Sequence, residues 1–155
     1  MMASSNYVMD MWQKLSPLPG GKFLLSQVIS RKAPYFKTVG ATIEELRPNY
    51  ARVSMKKRRA VQNHIGTVHV IAICNLLEMA MGVCAEASIP KHLRWIPKGM
   101  SVDYTAKAGS DITGIAEINP ADWKPGDLDV KVTATDTDGT PVVVGVIKLW
   151  ISEKK

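Results

Sequence analysis

The sequence is poor in cysteine and histidine. Its 155 residues include two cysteines and three histidines, and no Cys-x-x-Cys pair occurs. This scarcity excludes a disulfide-rich scaffold and leaves a metal site without support, so we predict neither a metal nor a separate cofactor. Cys74 and Cys84 lie in one segment predicted to be helical, where their separation corresponds to ~15 Å along the axis, too far for a disulfide. Both are expected to be buried, reduced thiols.

The sequence also lacks a long uninterrupted apolar run, and its first residues lack a basic cluster followed by an apolar core. The longest apolar stretch, residues 70–85, contains Asn75 and Glu78. It is shorter than the ~20 residues that cross a bilayer, and a carboxylate at its middle would be costly there. We therefore expect no secretory signal, no interaction with a membrane and a cytoplasmic location.

Positive charge is in excess and unevenly distributed. The net charge is +6, from 20 basic and 14 acidic side chains. A basic cluster attracts nucleic acid, a membrane surface or a phosphorylated ligand, or it is only a solvated strand end. Because the sequence contains no helix-turn-helix, zinc-finger or aromatic RNA-binding motif, a nucleic-acid partner is not expected. The cluster consists of Arg47, Arg52, Lys56, Lys57, Arg58 and Arg59.

Apolar periodicity predicts one long helix between two groups of strands. Residues 5–31 predict one or two short helices with a Pro- and Gly-rich break. Alternation on either side of Pro48-Asn49 predicts a hairpin within residues 38–57, and an apolar helix is predicted at about residues 68–87. Further strands are predicted at residues 99–107, 112–118, 128–136 and 142–151.

This order of elements predicts an α+β protein with the hotdog fold. A helix that is apolar nearly all round must be buried on most sides, and a twisted antiparallel sheet wrapped around it buries it. Short connections favour antiparallel pairing, and Asp138-Gly139 is typical of a two-residue hairpin turn. We predict one domain overall, with an N-terminal helical segment at residues 1–34 that packs outside the core and a hotdog domain at residues 35–155.

Glu78 is the candidate catalytic residue. On the predicted helix, its neighbours three and four residues away are Cys74, Asn75, Met81 and Gly82. A carboxylate in such an apolar environment is costly to desolvate, and carboxylates of this kind are enriched in active sites as general bases or nucleophiles. The alternative is that Glu78 caps a loop or reaches solvent. Only Asn75 could share a polar face with it, so we favour the catalytic interpretation.

The segment that leads into the helix is the second candidate. Gly66 permits a tight turn, and Thr67 is predicted to cap the helix. The first free N–H groups of the helix, near Val70, point outward with the positive end of the dipole and can hold a developing oxyanion. His69 either belongs to this site or is a capping or buried structural histidine.

His69 and Glu78 could act together only across two subunits. They are nine residues apart, which places them ~13 Å apart along the helix axis and on nearly opposite faces. The start of one helix would have to meet the middle of another across a two-fold axis. The sequence therefore predicts a site shared between two copies of the chain.

The spacing Asn63-x-x-Gly66-x-x-His69, followed by Glu78, resembles that of the PaaI-like and 4-hydroxybenzoyl-CoA thioesterases of the hotdog superfamily. The segment PKGMSVDY at residues 97–104 is similar to their central strand. The nearest likeness is to a hotdog subgroup of unknown function with Gly-Thr-x-His at the helix start. The resemblance covers about residues 35–151.

The resemblance implies an acyl-CoA thioesterase that forms a homodimer or homotetramer, with CoA as part of the substrate and no other cofactor. It implies that Glu78 attacks the thioester or activates water and that Asn63 lies near the thioester carbonyl. His69 opens the helix, and the backbone at Gly66 and Val70 forms the oxyanion side of the site. Substrate-binding roles are implied for Gly82 and, at the CoA phosphates, for Lys56, Lys57, Arg58 and Arg59.

Two departures from the family pattern leave other functions open. Relatives commonly have His-Gly-Gly at the helix start, where this chain has His69-Val70-Ile71, and many have Ser or Thr where this chain has Gly82. The β-branched side chains narrow the approach to the thioester, and the missing hydroxyl affects the positioning of water. The alternatives are a non-catalytic acyl-CoA-binding protein and a hydratase or dehydratase that acts on acyl thioesters.

Overall fold

The computed structural model describes residues 6–155, so the first five residues of the predicted N-terminal segment lie outside the described part. Six strands form one antiparallel sheet in the order β1-β2-β4-β5-β6-β3. Two α-helices and a short 3-10 helix at Pro34–Thr38 precede the sheet. The α-helices are α1 (Tyr7–Leu15), α2 (Gly21–Lys32) and α3 (Val70–Ser88), and the strands are β1 (Thr42–Arg47), β2 (Tyr50–Met55), β3 (Leu93–Tyr104), β4 (Ile112–Glu117), β5 (Gly126–Thr135) and β6 (Pro141–Glu153).

The sheet wraps around α3, which confirms the predicted hotdog fold. Inward side chains alternate with outward ones along the strands, as in β5, where Leu128, Val130 and Val132 are buried. By length and composition alone α3 could cross a membrane, since it has 19 residues and a mean hydropathy of 1.7. However, 61% of its apolar window is buried inside the protein. Its apolar surface is therefore core surface.

Helix α2 covers one edge of the sheet. The buried Ser26 hydroxyl accepts a hydrogen bond from the Ile43 backbone N–H of β1 at 2.8 Å. The Lys22 ammonium donates to the Glu44 carbonyl, also in β1, at 2.9 Å. Both bonds occupy backbone groups that would otherwise be open to pairing with another strand. The edge formed by β1 is therefore blocked by the chain itself.

The opposite edge, formed by β3, is open. Among the described strands, β3 pairs only with β6. Met100 and Tyr104 of β3 stand opposite the buried residues Ile147 and Val143, so they share the concave face of the sheet with them. Nevertheless, Tyr104 is 63% exposed and Met100 is 37% exposed. Helix and sheet therefore leave the concave face uncovered along β3.

The start of β3 differs from the sequence prediction. The strand begins at Leu93, whereas residue 99 was the predicted first position. Pro97 is tolerated here because β3 is an edge strand and its pairing with β6 shifts register between Pro97 and Gly99. Because of Pro97 and the shifted register, the sequence does not show the alternation of a strand over the first half of β3.

The turn between β5 and β6 also differs from the prediction. A two-residue turn at Asp138-Gly139 was expected, but the Asp136 N–H donates to the Thr140 carbonyl at 3.0 Å, so the turn consists of residues 137–139. The Asp136 carboxylate accepts hydrogen bonds from the backbone N–H groups of Asp138 and Thr140, each at 2.9 Å. These bonds stabilise the longer turn.

Gly145 marks a point where β6 and β3 approach too closely for a side chain. A Cβ at this position would lie 2.1 Å from the Ser101 carbonyl oxygen. We expect Gly145→Ala to lower the free energy of unfolding by about 1–3 kcal/mol, as overpacking does, because β3 must move away from β6. Chemical denaturation measures the loss. Gly99→Ala is the control, since nothing lies within 4 Å of its Cβ, and an equal loss in both variants would contradict the interpretation.

Candidate active site

Glu78 lies at the middle of α3, on the stripe that the sheet does not cover. Ile71, Cys74, Gly82 and Glu86 lie along the same stripe and are exposed or partly exposed, whereas most other side chains of α3 are buried. Glu78 is itself partly exposed, so its burial is less complete than the sequence predicted. Within residues 6–155, no donor or cation contacts the carboxylate. It is a free acceptor.

Two cavities meet at Glu78. The first, here named the inner cavity, has a volume of about 480 Å³ and lies between α3, β3 and the N-terminal helices. The second, named the edge groove, has a volume of about 470 Å³ and reaches the open edge at β3. The inner cavity is bordered by Val8, Ile29, Phe36, Glu78, Gly82 and Trp95 among others, and the edge groove by Tyr35, Phe36, Ile71, Cys74, Glu78 and Met100.

The N-terminal helices form the outer wall of the inner cavity, a role that the sequence analysis missed. Val8 comes from α1, Ile29 from α2, and Phe36 from the 3-10 helix that follows. The first two helices carry further apolar side chains that pack against the core, such as Trp12 and Leu25. That apolar periodicity was the available signal, because amphipathic helices need an apolar surface to cover. The uncovered stripe of α3 is that surface.

Asn63 shapes the loop that leads into α3. Its side-chain oxygen accepts hydrogen bonds from the N–H groups of Ile65 and Thr67 at 3.1 Å, and its amide donates to the Thr67 hydroxyl at 2.8 Å. Gly66 has a φ of 78°, the left-handed conformation expected for this turn. A direct contact between Asn63 and a thioester, as the resemblance implies, would require one of these loop bonds to break.

His69 caps α3, and the prediction that Thr67 does so was wrong because Asn63 engages the Thr67 hydroxyl. The His69 Nδ1 atom accepts a hydrogen bond from the Ile71 N–H at 3.1 Å. The proton of the neutral imidazole is therefore on Nε2, which the exposed ring presents as a donor. The neighbouring Val70 N–H has no acceptor within residues 6–155. It is available as the predicted oxyanion donor.

The candidate residues fall into two groups within one chain. Asn63, His69 and Val70 border a cavity of about 310 Å³ at the start of α3, named the helix-start cavity, together with Tyr104 of β3. Glu78 borders the inner cavity and the edge groove but not the helix-start cavity. This separation is the one expected from their spacing along the helix.

The basic cluster is partly engaged within the chain. The Lys56 ammonium contacts the Asp111 carboxylate at 2.9 Å, and this hydrogen bond raises the pKa of Lys56. The Arg58 guanidinium donates to the Thr38 carbonyl at 2.9 Å. Arg59 is exposed, and its side chain makes no hydrogen bond or ion pair within the described residues. Arg59 is thus more available to an anionic ligand than Lys56 or Arg58.

Both cysteines are free thiols that their surroundings keep protonated. Burial raises the pKa of Cys84 to about 12. Cys74 is half-buried at the edge groove, and its pKa is raised first by burial and second by the negative charge of Glu78. Since the thiolate is the nucleophilic form, neither cysteine competes with Glu78 as a reactive group near neutral pH.

The fold defines a class of protein. An antiparallel sheet wrapped around one long helix is the hotdog fold, and solved structures of thioesterase family proteins share it. Within that class, residues 21–151 match the family model described as Domain of unknown function (DUF4442). The chain belongs to this family.

Solved structures share the fold of the chain. The protein in the crystal structure of genomics APC5556 is 41% identical in sequence to this chain. The two have a TM-score of 0.83, over 96% of this chain and 99% of that chain. A thioesterase family protein from Silicibacter pomeroyi is 20% identical, with a TM-score of 0.71 over 83% and 96% of the two chains. Thioesterase HI1161 from Haemophilus influenzae is 12% identical, with a TM-score of 0.73 over 85% and 90%. At these identities, the last two comparisons show that those proteins and this chain share a fold, and nothing further. No curated protein matches the sequence.

The proximity of Glu78 to Cys74 gives a chemical test of this geometry. Glu78→Gln removes the charge that helps to raise the Cys74 pKa, so the pKa should fall while staying above its ordinary value, because burial is the larger cause. At mildly alkaline pH we therefore expect faster alkylation of Cys74 by iodoacetamide, measured by peptide mass spectrometry. Glu153→Gln, an exposed carboxylate at the end of β6, is the control. An unchanged Cys74 rate in Glu78→Gln would show that the two groups are not neighbours.

Proposed function

We propose that the protein hydrolyses acyl-CoA thioesters, with Glu78 as the group that activates water or attacks the thioester. One observation carries the proposal: a carboxylate without a partner lies between an apolar cavity and a groove that opens at the edge of the sheet. An acyl-CoA has the matching order of chemistry, with an apolar chain, a thioester and then a long polar carrier. The thioesterases among the similar structures add support from the shared fold.

The reaction needs one base and donors for the oxyanion. As a general base, Glu78 takes a proton from water while the water oxygen attacks the thioester carbonyl carbon. The carbonyl oxygen becomes an oxyanion, which the Val70 backbone N–H stabilises together with the Nε2–H of the neighbouring His69. The carbon–sulfur bond then breaks, and the departing thiolate of CoA takes up a proton. In the nucleophilic variant the carboxylate attacks the carbonyl carbon itself, the carbon–sulfur bond breaks and CoA leaves as the thiolate, and water then hydrolyses the resulting anhydride.

A second copy of the chain supplies the oxyanion donor in this proposal. The Val70 N–H lies at the helix-start cavity beside Tyr104, whereas Glu78 lies at the edge groove beside Met100. Two open β3 edges can pair antiparallel about a two-fold axis. Tyr104 is at the end of β3, so such pairing sets the helix start of one copy against earlier β3 residues of the other and moves Val70 towards Glu78. The assembly is at least a homodimer, and a homotetramer would contain two such pairs.

The CoA phosphates are assigned to the basic cluster. The Arg58 guanidinium donates a hydrogen bond to the Thr38 carbonyl. Thr38 borders a groove of about 340 Å³, which His69 and Asn75 also border. This groove adjoins the edge groove, since Tyr35 and Asn75 border both. A path therefore leads from Glu78 to the cluster, where Lys57 and Arg59 complete the positive charge. Attraction of this kind weakens with salt.

Replacement of Glu78 tests the proposed reaction. We expect Glu78→Gln to lower kcat by about 10²–10⁴-fold, the usual contribution of a positioned base, with little change in the binding of a CoA thioether. Release of free thiol from a panel of acyl-CoA substrates measures kcat. Glu117→Gln, an exposed carboxylate on β4, should keep the wild-type rate. Binding without thiol release by the wild-type protein would contradict hydrolysis and favour the acyl-CoA-binding alternative, whereas loss of enoyl-thioester absorbance without thiol release would favour a hydratase.

The shared site predicts complementation between two inactive variants. Glu78→Gln lacks the base, and His69→Asn keeps a residue that can cap α3 but loses the Nε2–H donor. We expect each homodimer to be impaired and the heterodimer, co-expressed with two affinity tags, to regain about half of the wild-type activity, because one of its two sites is intact. A heterodimer as inactive as its parents would overturn the shared site. A protein that is monomeric in analytical ultracentrifugation and still fully active in thiol release would overturn it as well.

A further inference from the structure

The inner cavity is an apolar chamber that begins at Glu78. Its volume of about 480 Å³ falls within the ~300–1,000 Å³ typical of small-molecule sites. Helices α1, α2 and α3, the 3-10 helix and β3 all contribute to its walls. Most of the lining is apolar, and it includes Val8, Ile29, Phe36, Met81, Val83 and Trp95.

The length of the cavity is set by two carboxylates on α3. Glu78 and Glu86 both border it, and their eight-residue separation in the sequence corresponds to ~12 Å along the helix axis. At the Glu86 end, Trp95 Nε1 donates a hydrogen bond to the Glu86 carboxylate at 2.8 Å, and the Asn6 side chain donates to the Glu86 carbonyl. These bonds tie α1 and β3 to α3. A longer apolar chain would meet this polar end.

Gly82 and Trp95 lie next to each other in the cavity wall. A Cβ at position 82 would lie 4.0 Å from the Trp95 ring, which is ordinary van der Waals contact. An acyl chain therefore cannot pass between the two residues and runs along them on the cavity side. The ring cannot easily give way, since its Nε1 is held by Glu86, so a side chain larger than a methyl group at position 82 would occupy cavity space instead.

We infer, on the basis of the thioesterase function proposed above, that the inner cavity selects medium-chain acyl groups and that Gly82 and Trp95 help to determine this specificity. The thioester lies beside Glu78, and the chain runs along Gly82 and Trp95 towards Glu86. The absence of a side chain at position 82 leaves this part of the cavity open to the acyl chain.

Non-hydrolysable CoA thioethers test this inference independently of hydrolysis. In isothermal titration of the full-length protein, we expect S-decyl-CoA to bind more tightly than S-ethyl-CoA or S-hexadecyl-CoA. Gly82→Leu should weaken binding of S-decyl-CoA about tenfold more than it weakens binding of S-ethyl-CoA, a difference equivalent to about two methylenes left unburied. The same preference should appear in kcat/KM for decanoyl-CoA against acetyl-CoA and palmitoyl-CoA.

A second variant keeps the test decisive if Gly82→Leu does not fold. Ile29→Ala enlarges the cavity from the α2 side and should improve S-hexadecyl-CoA relative to S-decyl-CoA. Leu24→Ala is its matched control, because Leu24 also lies on α2, is 52% exposed and does not border the cavity. A binding order that ignores chain length in the wild type, or that Gly82→Leu and Ile29→Ala leave unchanged, overturns the inference.

The two proposals can fail separately. Chain-length-dependent binding of the thioethers without any thiol release would overturn hydrolysis and leave the cavity assignment standing. Thiol release with equal kcat/KM for acetyl-CoA, decanoyl-CoA and palmitoyl-CoA would support hydrolysis and overturn the assignment of the cavity.

Discussion

The structure depends on covering a helix that is apolar on almost every side. The sheet buries the face that carries Leu76, Leu77 and Ala80, but a curved sheet closes over only part of a helix. The remaining stripe, from Ile71 to Glu86, needs other cover. The N-terminal helices supply it over one half, and the other half stays open along the β3 edge, where the proposed second copy would cover it. The cavities at Glu78 lie where these covers meet.

Asn75 shows how firmly the N-terminal segment is held over that stripe. It is 7% exposed, and its amide donates to the Tyr35 carbonyl at 3.3 Å and to the Thr38 hydroxyl at 3.0 Å. These two bonds offset the desolvation of the amide nitrogen, whereas the buried Oδ1 atom of Asn75 has no hydrogen-bond partner within the described residues. The two contacts fix the 3-10 helix against α3, and with it Phe36, which separates the inner cavity from the edge groove. Asn75, a polar residue in an apolar helix, thus holds in place the 3-10 helix that covers the candidate site.

Strong periodicity made the fold predictable from the sequence, and it made Glu78 conspicuous as a charge inside the apolar run. The same patterns did not predict which residue caps α3, because the side chains near the helix start compete for the same hydrogen-bond partners. Thr67 has the right chemistry for a cap, but Asn63 engages its hydroxyl and His69 takes the role. The inner cavity could not be predicted, because no local pattern reports which surface two short helices will cover. The predicted β3 was too short because Pro97 argued against a strand, whereas an edge strand tolerates a proline.

The partial exposure of Glu78 fits a site that is completed in stages. In a single chain, water in the edge groove can solvate the carboxylate, so its position within an apolar helix costs little. Pairing of β3 edges would narrow the groove, and an acyl chain in the inner cavity would displace water from the other side. Each step lowers the local dielectric, which strengthens the interaction of a developing oxyanion with the Val70 N–H and the dipole of α3. A carboxylate buried fully in the single chain would need permanent donors to offset its desolvation, and in the proposed reaction such donors would compete with the water that Glu78 activates. A site formed between the sheet, the N-terminal helices and the proposed second copy would avoid that conflict, because its low-dielectric environment would form only when the substrate is bound.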